Sequence, residues 1–290
     1  MEPGARSEDV RALLEGAAGV WLDDRAVITV RGEDRVRWLG GMVTADLRGL
    51  VPGKGVYTAL VAVKGKLLGD AYVHLGEDCV LLLVPSSERQ AIVDHLEGYI
   101  VMEDATVEST SERVLTVQGP LALTATEGMG GRSTADRLGV GGVDVLFPPT
   151  EEVPEALAVV PRAAFDAACV ERRVPQWGID FGGDNFVQEV GITDRAVSFQ
   201  KGCYVGQEVV CRLQMRGQVQ KLLVPLRVLG VMPVAGAEVL VEGKAVGRVT
   251  SVARALHEPD AANLLAMVRY AVVDKRPPLE VDGAPAAWLG

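Results

Sequence analysis

The chain has 290 residues, of which 48% are hydrophobic, 23% charged and 5% aromatic, enough apolar content for two domains or one large lobed one without disulfide staples. Its formal net charge is -10, which argues against broad, sequence-independent nucleic-acid binding, because neutralising phosphates takes a basic face. The densest apolar run, "CVLLLVP" at 79–85, is far shorter than the roughly 20 residues a bilayer span needs, and the first 20 residues carry acids and do not read as a signal peptide, so the expectation is a cytoplasmic protein with no membrane and no nucleic-acid partner.

Residues 7–18 carry an amphipathic helical pattern and 25–32 a strand. Val36, Leu39, Val43 and Leu47 then recur at helical spacing, with Gly40-Gly41 weakening that helix or admitting a close neighbour. The clearest β stretch follows. Pro52-Gly53 opens it, "VYTALVAV" and "LLGDAYVHL" flank a hairpin turn at Lys64-Gly65-Lys66, and Gly76-Glu77-Asp78 turns the chain into "CVLLLV". Ser87 and Gln90 make a capping-box pattern before a helix whose Ile92, Leu96 and Tyr99 share one face. Strand, turn, strand, turn, strand, helix predicts an α+β fold, not a doubly wound one.

From 106 to 160 the pattern repeats in miniature, with strands at "RVLTVQG", "VDVLF" and "ALAVV" and a short helix after Pro120. Residues 161–173 are predicted helical, Pro161 being tolerated at a first position. A Gly-rich irregular stretch, "VPQWGIDFGGDNFVQEVGI", leads into "SFQKGCYVGQEVVCR" at 198–212. The last 70 residues lose helical periodicity and read as a small β-barrel domain, partly closed, over 219–290. Residues 1–218 are then a two-lobed region with its β-rich lobe at about 50–118.

Four cysteines stand at 79, 169, 203 and 211 and three histidines at 74, 95 and 257. Neither set has metal-ligand spacing, so no protein-only metal site is expected. Cys203 alone has a reactive-looking context. A free thiol titrates near ~8.5, and a nearby cation favours the thiolate. From Asp194 to Lys221 the cations are Arg195, Lys201, Arg212, Arg216 and Lys221, against the anions Asp194 and Glu208, a local excess of positive charge in an acidic chain. The plainer reading is that a lone cysteine is a small buried hydrophobe. Gly202 and Gly206 favour a turn that presents the side chain instead, and no histidine lies near in sequence to act as a base. Cys211 would share a face with Cys203 if the segment were extended, and is expected in the core. Gln207 and Glu208 have a plain role as turn groups binding backbone donors. Glu189, among apolar neighbours, is either half of an ion pair or an acceptor for a donor-rich ligand such as a pterin.

"KGCYVGQE" at 201–208 resembles the signature of the YgfZ-type folate-binding proteins, implicated in maintaining iron–sulfur enzymes and related to the glycine-cleavage T-protein, an aminomethyltransferase. "LRGLVPGKGVYTALVAVKGKLLGDAYVHLGEDCVLLLV" is similar to the family's early β region, and "ERRVPQWGID" matches it at Glu171, Pro175 and Gly178. Arg173 stands where the family usually has glycine, and Cys169 where it usually has arginine. The resemblance implies a three-lobed ring, GcvT/YgfZ-like, with a central cavity for tetrahydrofolate and a C-terminal β-barrel. It implies Cys203 as the functional thiol with Lys201 beside it. It also implies a folate-binding set of Glu189, Glu171, Tyr204, Gln207, Glu208, Arg212 and Lys221, with Glu189 on the pterin. The T-protein's catalytic aspartate position falls on Ile92. Asp94 is two residues on, about 200° around a helix, which argues against aminomethyl transfer.

Three readings follow. The first is a folate-binding accessory protein supporting iron–sulfur cluster assembly or repair, with client enzymes or assembly proteins as partners. One cysteine does not hold a cluster alone, so further ligands would come from a partner or a second copy. The second is an aminomethyltransferase-like one-carbon enzyme. The third is a domain that keeps the fold and binds only a protein partner.

Overall fold

The computed structural model describes residues 5–217 and 219–289. In chain order the elements are α1 (Ser7–Glu15), β1 (Ala18–Trp21), β2 (Arg25–Arg31), α2 (Arg35–Gly40), β3 (Gly55–Val61), β4 (Leu67–Leu75), β5 (Cys79–Pro85), α3 (Arg89–Glu97), β6 (Thr106–Ser109) and β7 (Arg113–Gln118). There follow α4 (Ala122–Ala125), β8 (Arg132–Thr134), β9 (Gly142–Phe147), α5 (Arg162–Glu171), α6 (Thr193–Ala196) and α7 (Gln207–Arg216). The chain ends with β10 (Lys221–Leu229), β11 (Glu238–Val241), β12 (Lys244–Arg254), β13 (Ala261–Arg269), α8 (Tyr270–Val273), β14 (Leu279–Val281) and β15 (Ala284–Trp288).

Each of three lobes has its own sheet. One is four-stranded, in the order β1-β7-β9-β8, and one is five-stranded, β3-β4-β5-β2-β6. The third is a closed barrel, β10-β13-β12-β11-β14-β15. Pairing of Leu226 with Trp288 between β10 and β15 completes the barrel, so it is closed where the sequence suggested partial closure. Its inward residues, among them Val224, Leu226, Val228, Leu264 and Val268, make a separate core. The helix α5 is the hinge of the packing. Ala164, Ala168 and Cys169 lie in a core shared with Leu13 of α1, Val20 of β1 and Ala253 of the barrel, where small side chains let the helix sit close to all three.

Several local expectations change. The helix predicted across 32–47 stops at Gly40, and Val43 and Leu47 are buried from a loop instead. Val43 spends its backbone on a bridge to Leu60 of β3, a tertiary pairing that outweighs helical periodicity. The capping box at Ser87 and Gln90 does not form. A 3-10 turn over Ser86–Glu88 precedes α3, Ser87 Oγ donates to Glu88, and the Gln90 amide donates to Asp94. "ALAVV" supplies only a single parallel bridge, Val159 to Gly19. The segment after Gly206 is helical, not extended, so Cys203 precedes α7 while Cys211 lies within it, half-buried.

Candidate functional site

The motif "KGCYVGQE" is a fastener between two distant segments, and each residue type has a place in it. The 196–205 stretch is stitched to the loop after α2 by backbone and side chain. Thr44 Oγ1 donates to the Ala196 carbonyl at 2.6 Å, the Ser198 N–H donates to the Thr44 carbonyl, and the Val205 N–H donates to the Gly41 carbonyl. Lys201 Nζ donates to three carbonyls, Gly40 at 2.6 Å and Val43 and Ala45 at 2.7 Å each. Tyr204 is a core residue beside Val61, Val187 and Val210. Its hydroxyl is buried with no partner among the described residues, and burial raises its pKa. Gly206 has φ +78°, and a Cβ there would meet the Ala62 carbonyl at 2.5 Å. That position needs glycine both for its left-handed backbone and for the close approach. Gln207 then opens α7.

Between the buried Tyr204 and the pinned Lys201, Cys203 is exposed. It opens onto a groove of about 530 Å3 lined by Val36, Arg37, Gly40, Gly41, Asp46, Leu47 and Arg48, with Glu33, Lys201 and Gly202 completing it. Most charge here is paired locally. Arg48 grips Asp46 through both carboxylate oxygens, the closest contact 2.6 Å, and that guanidinium holds the Asp46 carboxyl down at about 2. Arg37 bonds Asp34. Burial pushes the Lys201 ammonium down to about 8, while Asp46 pulls it back up. Its three carbonyl acceptors favour the charged form. The positive cluster read from the sequence therefore disperses. Lys201 faces carbonyls, Arg195 reaches the lobe junction, and Arg212 lies on α7 at 3.9 Å from Glu208.

The other expected residues do not converge. Glu208 is fully on the surface. Glu171 Oε2 accepts from Asn263 Nδ2 at 2.8 Å and from the Leu256 N–H, tying α5 to the barrel. Glu189 is buried. Its Oε2 accepts from the Phe186 N–H at 3.1 Å and from Asn185 at 3.3 Å, while its carbonyl accepts the Leu223 N–H. It is thus a turn anchor rather than half of an ion pair. Lys221 is half-buried at the head of β10, paired in register with Arg269. Arg173, where the resemblance has glycine, adopts φ +60°, the left-handed region that favours glycine. Cys169 is buried, and burial drives its thiol pKa well up.

A second constellation, missed in the sequence, fills the junction between the two N-terminal sheets and α5. Arg25 pairs with Asp70 through two contacts, the shorter 2.7 Å, and Tyr57 Oη donates to the same carboxylate at 2.9 Å. Arg162 bridges Asp24, Asp166 and Gln176. Arg137 holds Asp144 and lies over the Tyr72 ring at 4.2 Å, and Arg195 donates to the Tyr72 hydroxyl and the Asp136 carbonyl. Burial pushes the Asp144 carboxyl up, but Arg137 and His74 overcome it and hold it at about 2. Burial raises Tyr72 to about 12. The signals available were charged residues inside apolar strands, Asp70 in β4 and Asp144 in β9.

The cavity left at this junction is about 40 Å3, room for a few waters and far below the ~300 Å3 at which ligand pockets begin. In this conformation it does not fit a pterin, and Glu189 is not among its lining residues. Ile92, at the expected aspartate position, is core, and the Asp94 carboxylate is engaged by Gln90 on the surface. Among the described residues no cluster of three or more His, Cys, Asp or Glu is arranged to hold a metal ion. No described helix is long and apolar enough to cross a membrane.

Residues 5–136 match the GCVT N-terminal domain family. The human mitochondrial iron-sulfur cluster assembly factor IBA57 is 28% identical over 253 residues, covering 74% of this chain and 67% of its own length. The tRNA-modifying protein YgfZ of Serratia proteamaculans (strain 568) is 28% identical over 230 residues, covering 70% and 68%. The glycine cleavage system aminomethyltransferase T from Bartonella henselae superposes with a TM-score of 0.83 over 98% of this chain and 88% of its own, at 17% identity, which shows a shared fold.

Proposed function

We infer that this chain, a YgfZ-type relative of the glycine-cleavage T-protein, supports the assembly or repair of iron–sulfur clusters in client enzymes, with Cys203 as its working thiol. The observation that carries this reading is the build of the motif. Its lysine, tyrosine and second glycine are spent on anchoring, and of its two exposed side chains, Cys203 and Glu208, the cysteine is the one that lines the open groove. The name of one relative, the iron-sulfur cluster assembly factor IBA57, supports the same role. A lone thiolate supplies one ligand of the four a cluster normally takes, so client or assembly proteins would bring the rest.

Aminomethyl transfer has less support. The helix α3 brings no carboxylate to the junction, and the acids that line it are consumed, Asp70 by Arg25 and Tyr57 and Asp24 by Arg162. Direct handling of tRNA is disfavoured by the net charge of -10. An effect on tRNA modification would run through an iron–sulfur client. Tetrahydrofolate is the ligand the resemblance implies, yet the junction as folded has no room for it, and no step is routed through it.

Expression of this chain in cells lacking their own relative tests the role. Restored activity of iron–sulfur enzymes is expected, and no restoration at normal protein abundance would overturn it. Calorimetric titration with tetrahydrofolate, on wild type and Glu189→Ala, tests the ligand. Binding that disappears in the variant would place folate against Glu189, and equal binding in both would remove Glu189 from any folate site.

A further inference from the structure

We propose that Lys201 is a positioning residue, a pin that fastens the backbone of residues 40–45, which joins the groove-lining Gly40 and Gly41 to the groove-lining Asp46, Leu47 and Arg48, to the segment bearing Cys203. The inference rests on reading that groove as the working site. An ammonium has three N–H donors and no acceptor. All three are used here, on Gly40, Val43 and Ala45. The Gly40 carbonyl belongs to the last turn of α2, where helix carbonyls lack intrahelical partners and a cation is favoured. Lys201 thus caps α2 from 161 residues away and sets the loop that follows. The charged groups facing it are Asp46 and Arg48, themselves paired, and the Tyr204 ring lies 5.1 Å from Nζ. With every donor spent on carbonyls, the ammonium has no hydrogen left to offer the Cys203 thiolate. A planar guanidinium does not reproduce three acceptors converging on one nitrogen, so arginine is a poor substitute although it keeps the charge.

This role differs from electrostatic activation of the thiol, and two variants separate them. In purified Lys201→Met, amide hydrogen exchange across residues 41–47 is expected to rise by about tenfold or more. The ratio of Cys203 alkylation rates for a bulky maleimide and for iodoacetamide should change severalfold, with the midpoint of the pH–rate profile unmoved. Lys201→Arg should behave like Lys201→Met. A midpoint that rises in Lys201→Met and returns in Lys201→Arg, with exchange unchanged, would overturn the proposal in favour of electrostatic tuning. Should both variants fail to fold, competitive acylation of the wild-type protein decides. Pinned Lys201 should label more slowly than exposed Lys54, Lys64 and Lys244 despite its depressed pKa, and fastest labelling would contradict the pin. None of these readouts depends on iron–sulfur enzymes in cells, so failure of the pin and failure of the proposed function are separable.

Discussion

The Cys203 groove and the lobe junction are both lined with arginines, yet one is open and the other is full. In the groove, charges pair with neighbours two or three residues away, as Arg48 does with Asp46 and Arg37 with Asp34. The arginines of these pairs are exposed to solvent, and about 530 Å3 is left in front of an exposed sulfur. At the junction, Arg25 reaches Asp70 across 45 residues and Arg162 reaches Asp24 across 138. Those long-range pairs occupy the space between the lobes and leave about 40 Å3. Charge at a site therefore does not by itself indicate a ligand. What decides is whether the charges satisfy one another across the cavity or beside it.

That contrast breaks most readily at the junction. Asp70→Ala removes the carboxylate shared by Arg25 and Tyr57, leaving a buried guanidinium with only Asp24 at 4.0 Å, and is expected to cost about 3–5 kcal/mol in urea denaturation. A loss below about 1 kcal/mol would mean that the network is solvated and the junction open. Gly206→Ala, which strains the backbone and drives Cβ toward the Ala62 carbonyl, should cost about 1–3 kcal/mol. If the motif is a fastener, it should also raise hydrogen exchange near Cys203, and normal stability would show that the turn adapts.

The acid limb of the stability curve sharpens the comparison further. The Asp144 carboxyl is depressed to about 2 in the folded protein, against ~3.9 when unfolded. The folded state therefore binds its proton less readily than the unfolded one. The stability this confers is fully present above the unfolded value and is lost as pH falls through about 2. Asp144→Asn should flatten that limb by on the order of 2 kcal/mol, measured as urea midpoints between about pH 5 and pH 2. The smallest effect expected is a gain. Arg173 sits at φ +60°, so Arg173→Gly should stabilise by up to about 1 kcal/mol, seen as a raised thermal midpoint with no change at either site.

The sequence made the long strands legible because their alternation and turn residues are local. The hairpin at Lys64-Gly65-Lys66 stands as read, and the strands read at 25–32 and 79–84 form within a residue of those bounds, at Arg25–Arg31 and Cys79–Pro85. Short elements such as β6 and β8 were not legible, since three or four residues carry too little pattern and are specified by their partners. The helix α2 was overextended for the same reason, because Val43 is held by Leu60 in a different element. At the candidate site, the exposure of Cys203 followed from its glycine-bracketed context. The use of Lys201 did not, because its three acceptors lie some 160 residues earlier. Nor was the dispersal of the positive cluster visible. Spacing along the chain places cations on a list, and only the fold tells which way each one turns.

The most direct test is the activity of a client iron–sulfur enzyme in cells whose only copy of this protein carries Cys203→Ala, measured at matched abundance of wild type and variant. An exposed side chain leaves folding intact when truncated, so the variant should accumulate normally while client activity falls to the level of cells lacking the protein. Full client activity with Cys203→Ala would contradict the account.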